Sequence, residues 1–169
     1  MTPHRDEPAD HADHASHAVH LRDAIRLAMG NVRERRTWPF GAVLVRRGQV
    51  LARAVNEVEA LCDPSAHAEM QAVRAAARAL GGTDLSGCVV YASGFPCAMC
   101  LAAMHLAGVA AVYYAYDEET GAAYGLSAMR GYDEIARPPE RRETRLVGLP
   151  VRDEADEDLY EAWRGISGG

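Results

Sequence analysis

Three side chains in the middle of the chain have the types and the spacing to hold a metal ion. His67 stands in His67-Ala68-Glu69, and two thiols close the run Pro96-Cys97-Ala98-Met99-Cys100. Three protein ligands leave the fourth position of a tetrahedral zinc site open for water, as catalytic zinc requires. Glu69, two residues beyond the histidine, lies near that position without being needed as a ligand. There it can take a proton from the water and pass it to a leaving group. Alone, Cys-x-x-Cys is equally the spacing of a redox pair at a helix start, and an isolated His-x-Glu carries almost no information. Together, in this order and with Pro96 directly before the first thiol, they point to an enzyme that uses zinc for hydrolysis.

The elements around these residues follow from periodicity and punctuation. Residues 1–15 are polar and hold Pro3, Pro8 and several acids, which predicts a disordered tail; residues 16–169 are expected to form a single domain. A helix is predicted from Ser16, with Val19, Leu21, Ile25, Ala28, Met29 and Val32 as its apolar stripe. His11, His14, His17 and His20 recur every third residue; a solvated helix end is the plainer reading, and a second metal site the alternative. Trp38-Pro39-Phe40-Gly41 breaks this helix. Strands over 42–45 and 50–55, turning at Arg47-Gly48, read as a hairpin. Asn56 follows at the strand end, where its amide could read a base edge or serve as a turn residue.

A second helix is expected over 65–80, with Ser65 as N-cap, His67 in the first turn and Gly81-Gly82 as the stop. Residues 88–92 form a short buried strand, and Pro96 is read as opening the next helix. Cys97 and Cys100 then share one face. Both helix starts favour thiolate and hydroxide, and the Ala68 and Cys97 backbone N–H groups can bind developing negative charge or a product oxygen. A fourth strand spans 109–116, and strand-helix-strand in this order implies a parallel crossover. Residues 117–137 read as a loop with short helical pieces, 146–149 as a fifth strand, and 153–163 as an acidic terminal helix.

Composition narrows the class. At 169 residues, 49% apolar and 25% charged, the chain is of ordinary globular make-up. A net charge of -6 disfavours tight binding to a phosphate backbone, although Arg33, Arg35 and Arg36 form a small basic patch. With Cys97 and Cys100 assigned to zinc, Cys62 and Cys88 suggest no disulfide framework, which points to a reducing cytoplasm. No apolar run is long enough to span a bilayer, and the N-terminus lacks the basic-then-apolar character of a secretory signal, so no export is expected.

With those residues placed, the chain resembles the cytidine-deaminase fold superfamily over about Val19 to Trp163. The resemblance implies a three-layer α/β architecture: a mixed five-stranded sheet flanked by helices. Asp63-Pro64-Ser65-Ala66-His67-Ala68-Glu69 is similar to both bacterial guanine deaminases and tRNA adenosine deaminases. Pro39-Phe40-Gly41-Ala42-Val43, Tyr132-Asp133-Glu134-Ile135 and Glu161-Ala162-Trp163-Arg164 match the guanine branch better; Asp117 with Thr120-Gly121-Ala122-Ala123 resembles the tRNA branch. The resemblance implies zinc as cofactor, Glu69 as the proton carrier, Asn56 as a hydrogen-bond partner of the base and Phe40 as pocket lining. It also implies a homodimer in which the segment around Tyr160 and Trp163 covers the neighbour's site.

Two departures bear on the substrate. Where the guanine branch carries Gly-Phe-Asp-Asp, this chain has Gly125-Leu126-Ser127-Ala128, with no acid. Phe95 stands where the family usually has a glutamate before Pro-Cys. The expected function is therefore zinc-dependent hydrolytic deamination of a free nucleobase or nucleoside, guanine or a related amino-heterocycle first. Guanine itself should be a poor substrate unless Glu118, Glu119 or Asp133 replaces the missing acid. The alternatives are a tRNA-specific adenosine deaminase, a cytosine or cytidine deaminase, and a non-enzymatic, zinc-stapled binding module.

Overall fold

The computed structural model describes residues 14–35, 37–151 and 158–167. The predicted tail up to residue 13 with His11, Arg36 of the basic patch, and most of the stretch before the terminal helix lie outside these. The chain falls into two compact units that divide after Glu134. Among the described residues no helix is long and apolar enough to cross a membrane.

The first unit is built on a sheet of strands β1 (Gly41–Arg46), β2 (Gln49–Val55), β3 (Cys88–Gly94) and β4 (Ala111–Tyr116), in the order β2-β1-β3-β4. β1 pairs antiparallel with β2 and with β3, and β3 pairs parallel with β4. The hairpin turns at Arg47 and Gly48, both in the left-handed region, the pair of positive φ values that matches strand twist in a two-residue turn. The parallel pair is joined through helix α4 (Ala98–Leu106), since parallel neighbours need a crossover. β1 is buried from Gly41 to Val45 without alternation, because both faces of the strand are covered. Ala42 and Leu44 point into a core shared with helix α3 (Ala68–Leu80) and α4, through Ala72, Ala76, Cys100 and Met104. Val43 and Val45 point the other way, into a core with Ala24 of helix α1 (His14–Gly30) and Tyr91. The result is helix, sheet, helix.

Sequence and structure differ at several places. Among the described residues the sheet has four strands, not five. Residues 146–149 lie in the second unit with no ladder, and Leu146, Val147 and Leu149 are all exposed; an apolar run of four with Gly148 inside and Pro150 behind it is a poor donor row. α1 begins at His14, two residues early, and its buried side matches the predicted stripe only in part, at Ala28 and at Leu21, which packs on the core. Ala24, Ala28 and Asn31 are buried, whereas Val19, Met29 and Val32 are exposed. The helical repeat that runs through 24, 28 and 31 reaches back to 20 and 17. His17 and His20 therefore pack over the sheet: His17 stacks on Tyr113 at 4.2 Å and its Nδ1 lies 2.8 Å from the Tyr91 hydroxyl, while the His20 ring lies 4.9 Å from Tyr91. Neither is a solvated helix end, and among the described residues the histidines of α1 join no ligating cluster.

α1 continues into a π-helical turn, Asn31–Arg35, and a short helix α2 (Val58–Leu61) follows β2. Helices α5 (Glu118–Ala122) and α6 (Met129–Ala136) are the pieces expected within 117–137. The second unit holds a 3₁₀ turn, Pro139–Arg141, and helix α7 (Leu159–Ser167).

α1 approaches β1 most closely at Gly41. A Cβ there would lie 2.4 Å from the Ala24 carbonyl oxygen and 2.8 Å from the Ala28 nitrogen, both backbone atoms. Gly41→Ala is expected to push helix and sheet apart and to destabilise the protein by about 1–3 kcal/mol, read as a lower urea midpoint at unchanged slope.

Candidate active site

Two helices start at one place. His67 precedes the first turn of α3 in an extended conformation, φ -66° and ψ 156°, and Cys97 does the same before α4, φ -72° and ψ 165°. Both are N-caps, and neither side chain makes a capping hydrogen bond. This moves each helix start later than expected. Ser65 does not cap α3, because its N–H and hydroxyl both donate to Asp63 Oδ1. Pro96 lies ahead of the cap, where its carbonyl accepts from the Tyr132 hydroxyl at 2.9 Å.

The side chains that do not cap meet each other. His67 Nδ1 lies 3.5 Å from Cys97 Sγ and 3.6 Å from Cys100 Sγ, and the sulfurs are 3.5 Å apart. Around a tetrahedral zinc, ordinary bond lengths put nitrogen and sulfur about 3.6 Å apart and two sulfurs about 3.8 Å apart. The triad therefore fits the ion with only a slight opening. It is a chemically apt set, and among the described residues it alone has ligating geometry. The hydrogen bond with Cys100, and then that with His67, draws the Cys97 thiol down to about 4. The Cys100 thiol is pushed up by Cys97 and by burial, and His67 is raised by its bond to Cys97. One thiolate is thus already favoured by the local field.

Glu69 sits in the first turn of α3, 6% exposed, and burial holds its carboxyl above the usual range. It lines a cavity of about 320 Å³ together with His67 and Cys97. Trp38, Phe40 and Phe95 supply aromatic wall, and Phe95 is braced edge-on by Tyr114 at 5.2 Å. Gly94 leaves room for the Phe40 ring, which a Cβ would meet at 3.2 Å. Asn56 is 3% exposed and lines the same cavity. Its Oδ1 accepts from the Val58 N–H at 3.2 Å, which fixes the amide orientation and directs the NH₂ group away from Val58.

The acid-free stretch forms the far wall, with Gly125, Leu126, Ser127 and Ala128 all lining the cavity. Of the three acids that might substitute, Glu118 is the one that reaches it. Its Oε1 accepts from the Ser127 hydroxyl and its Oε2 from the Ala128 N–H at 3.0 Å. Glu118 itself lines a neighbouring apolar cavity of about 400 Å³ and not the first one. It holds the wall from behind. Of the residues expected at the site, His67, Glu69, Cys97, Asn56 and Phe40 line the cavity, Cys100 completes the triad, and Ala68 is buried at the start of α3. Trp163 lies on α7 in the second unit, where it is exposed. Trp38, Leu126 and Asn31 behind the wall were not singled out by type or spacing; for Asn31 the signal was present, a polar residue at an inward helical position.

Comparison with known proteins decides the family. The model of the cytidine and deoxycytidylate deaminase zinc-binding region matches residues 14–116. The chain belongs to that family. The guanine deaminase of Bacillus subtilis is 35% identical over 147 residues, 87% of this chain and 93% of that protein. A crystal structure of B. subtilis guanine deaminase superposes with a TM-score of 0.81 at 36% identity, covering 88% of this chain and 94% of the other. The tRNA-specific adenosine deaminase of Aquifex aeolicus is 42% identical over 84 residues, 49% of this chain and 56% of that protein. The guanine deaminase of Nitrosomonas europaea superposes with a TM-score of 0.61 at 27% identity, covering 64% and 63%. This deaminase is a zinc-dependent hydrolase, and a purely structural zinc module is set aside.

Ligand assignment has a direct test. Replacing His67, Cys97 or Cys100 with Ala is expected to abolish stoichiometric zinc and lower the melting temperature, because the ion binds the folded chain far more tightly than the unfolded one. Cys62→Ala and Cys88→Ala should keep full zinc. Metal analysis of the five variants separates ligands from bystanders.

Proposed function

We propose that the deaminase removes an amino group from a free nucleobase or a nucleoside-sized amino-heterocycle bound between Phe40, Phe95 and Trp38. The observation that carries this reading is the placement of a buried carboxyl group, Glu69, beside the ligand triad in a cavity with aromatic walls and one amide donor. The purine branch is supported by the likeness to a guanine deaminase over nearly the whole of both chains. Likeness to the tRNA enzyme covers about half of each chain, and a net charge of -6 opposes a polyanionic partner.

His67, Cys97 and Cys100 would hold the zinc. When bound, the ion would supply Lewis acidity that lowers the pKa of a water to about 7. Glu69 accepts the proton of that water, keeps it while the ring carbon is attacked, and donates it to the departing ammonia. The N–H groups of Ala68 and Cys97 bind the oxygen of the product at the positive ends of α3 and α4. The Asn56 NH₂ donates to a ring nitrogen or carbonyl oxygen, since its own oxygen is committed to Val58.

The far wall offers little to a ring N–H donor. Glu118 has both oxygens engaged, and Ala128 has no polar side chain. A buried donor left unpaired costs about 1–3 kcal/mol, so guanine is held less well here than a heterocycle that presents acceptors at that edge. The exposed apolar residues Leu159, Tyr160 and Trp163 of α7 support a homodimer in which this segment covers the partner's cavity, and the free cysteines support a reducing cytoplasm as its location.

Glu69→Gln should retain zinc and fold yet lose about 10⁴-fold in turnover, since one group serves both water activation and ammonia departure; residual activity above a tenth would remove Glu69 from that role. Ammonia release from guanine, guanosine, cytosine, cytidine, adenine and aminotriazines identifies the substrate. Ala128→Asp should raise guanine turnover relative to the other bases. Retention of bulk tRNA by the wild-type protein in a gel shift, with no release from any free base, would favour the RNA enzyme instead.

A further inference from the structure

Asn31 is 3% exposed, at the start of the π-helical turn that ends α1. Its Nδ2 donates to two carbonyl oxygens, those of Trp38 and Asn56, each at 3.0 Å. The two acceptors belong to different walls of the cavity: Trp38 precedes β1, and Asn56 follows β2. An amide turned the other way would set its oxygen against two carbonyls, so the orientation is determined by the partners. The consequence is that Asn31 Oδ1 is buried with no hydrogen-bond partner.

The same region carries two further ties. The Asn56 N–H donates to the Phe40 carbonyl at 3.0 Å, and the Phe40 N–H to that of Trp38 at 2.9 Å. Asn31 therefore closes a ring of hydrogen bonds around Trp38, Phe40 and Asn56, three residues that line the cavity. The π turn supplies the register. An extra residue in the helical turn alters which side chains face inward, and such turns recur where a functional side chain must be aimed.

We propose that Asn31 is a positioning residue for substrate binding, which sets the Asn56 amide and the Trp38–Phe40 wall at a fixed separation without touching the substrate. The proposal rests on the cavity being the substrate site. Substrate is held by Asn56 and the aromatic wall in the ground state as in the transition state, so loss of the tie raises KM more than it lowers kcat.

The test is a double-mutant cycle with the best substrate of the wild-type zinc enzyme. Asn31→Ala is expected to lower kcat/KM on the order of ten- to a hundredfold, mainly through KM, with zinc content unchanged. In an Asn56→Ala background the same change should cost clearly less than in the wild type, because the part of its effect that passes through the Asn56 side chain is gone and only that on the Trp38–Phe40 wall remains. An equal loss in both backgrounds, or an unchanged KM, would overturn the proposal. Asn31→Ser, which keeps one donor, should fall between wild type and Asn31→Ala; it replaces that variant in the cycle if Asn31→Ala does not fold. A second readout needs no substrate. In a Trp163→Phe chain, Trp38 is the only tryptophan, and loss of the Asn31 tie should increase acrylamide quenching of its fluorescence. Unchanged quenching would overturn the proposal even if no heterocycle were turned over, an outcome that would by itself refute only the assigned reaction.

Discussion

The structure depends on two helix N-termini whose cap residues do not cap. A Ser, Thr, Asp or Asn at the N-cap would bind the free N–H groups of the first turn. His67 and Cys97 occupy that position in α3 and α4 with extended backbones and no capping bond. Their side chains are turned toward each other and toward Cys100 instead. The first-turn N–H groups and their partial positive charge stay directed at the same small volume. A dication bound there would complement the Cys97 thiolate, which the hydrogen bonds with Cys100 and His67 already favour by drawing that thiol down to about 4. Stability forgone at each cap is recovered when the ligand binds.

Bringing two caps within 3.6 Å across thirty residues of chain requires a rigid spacer, and the sheet provides it. β3 runs between β1 and β4 and delivers Pro96 and Cys97 from its end. α3 lies on β1 and β2 through alanines, Ala72 and Ala76, whose small side chains let helix and sheet approach closely. On the opposite face Gly41 allows α1 the same intimacy. Small residues at these two contacts fix the layer spacing, and the layer spacing fixes where His67 and Cys97 meet.

The metal site was legible in the sequence because its information is local. Cys97 and Cys100 are one helical step apart, Glu69 is two residues from His67, and no tertiary contact can undo those separations. Element boundaries were less legible where two local options competed. Ser65 is a good N-cap by type, yet Asp63 takes both its N–H and its hydroxyl, and the helix starts at Ala68. The inward face of α1 was only partly legible because His17, His20 and Asn31 occupy positions that hydropathy allots to apolar residues. They are held by Tyr91, Tyr113 and two carbonyls, partners distant in sequence. The fifth strand failed for the complementary reason: residues 146–149 have strand-like hydropathy and no ladder.

The far wall of the cavity shows how a lost charge can be compensated structurally without being compensated chemically. With no acid at 125–128, the segment would need another anchor to keep its shape beside the substrate. Glu118 provides one, accepting from Ser127 and from the Ala128 N–H across ten residues of chain. Glu118 lines the neighbouring cavity and not this one, so the carboxylate preserves the form of the wall from behind and adds no acceptor to its surface. On the opposite side Asn56 has spent its acceptor on Val58 and turns its NH₂ group away from it. In the function proposed above, with Glu69 given to proton transfer, the side chains of this surface offer the Asn56 NH₂ group as a donor and no carboxylate as an acceptor. Under that proposal the surface selects by what it leaves unpaired: heterocycles that present a ring nitrogen or carbonyl oxygen to Asn56 keep a hydrogen bond on entry, and those that present N–H groups to the far wall meet no carboxylate there.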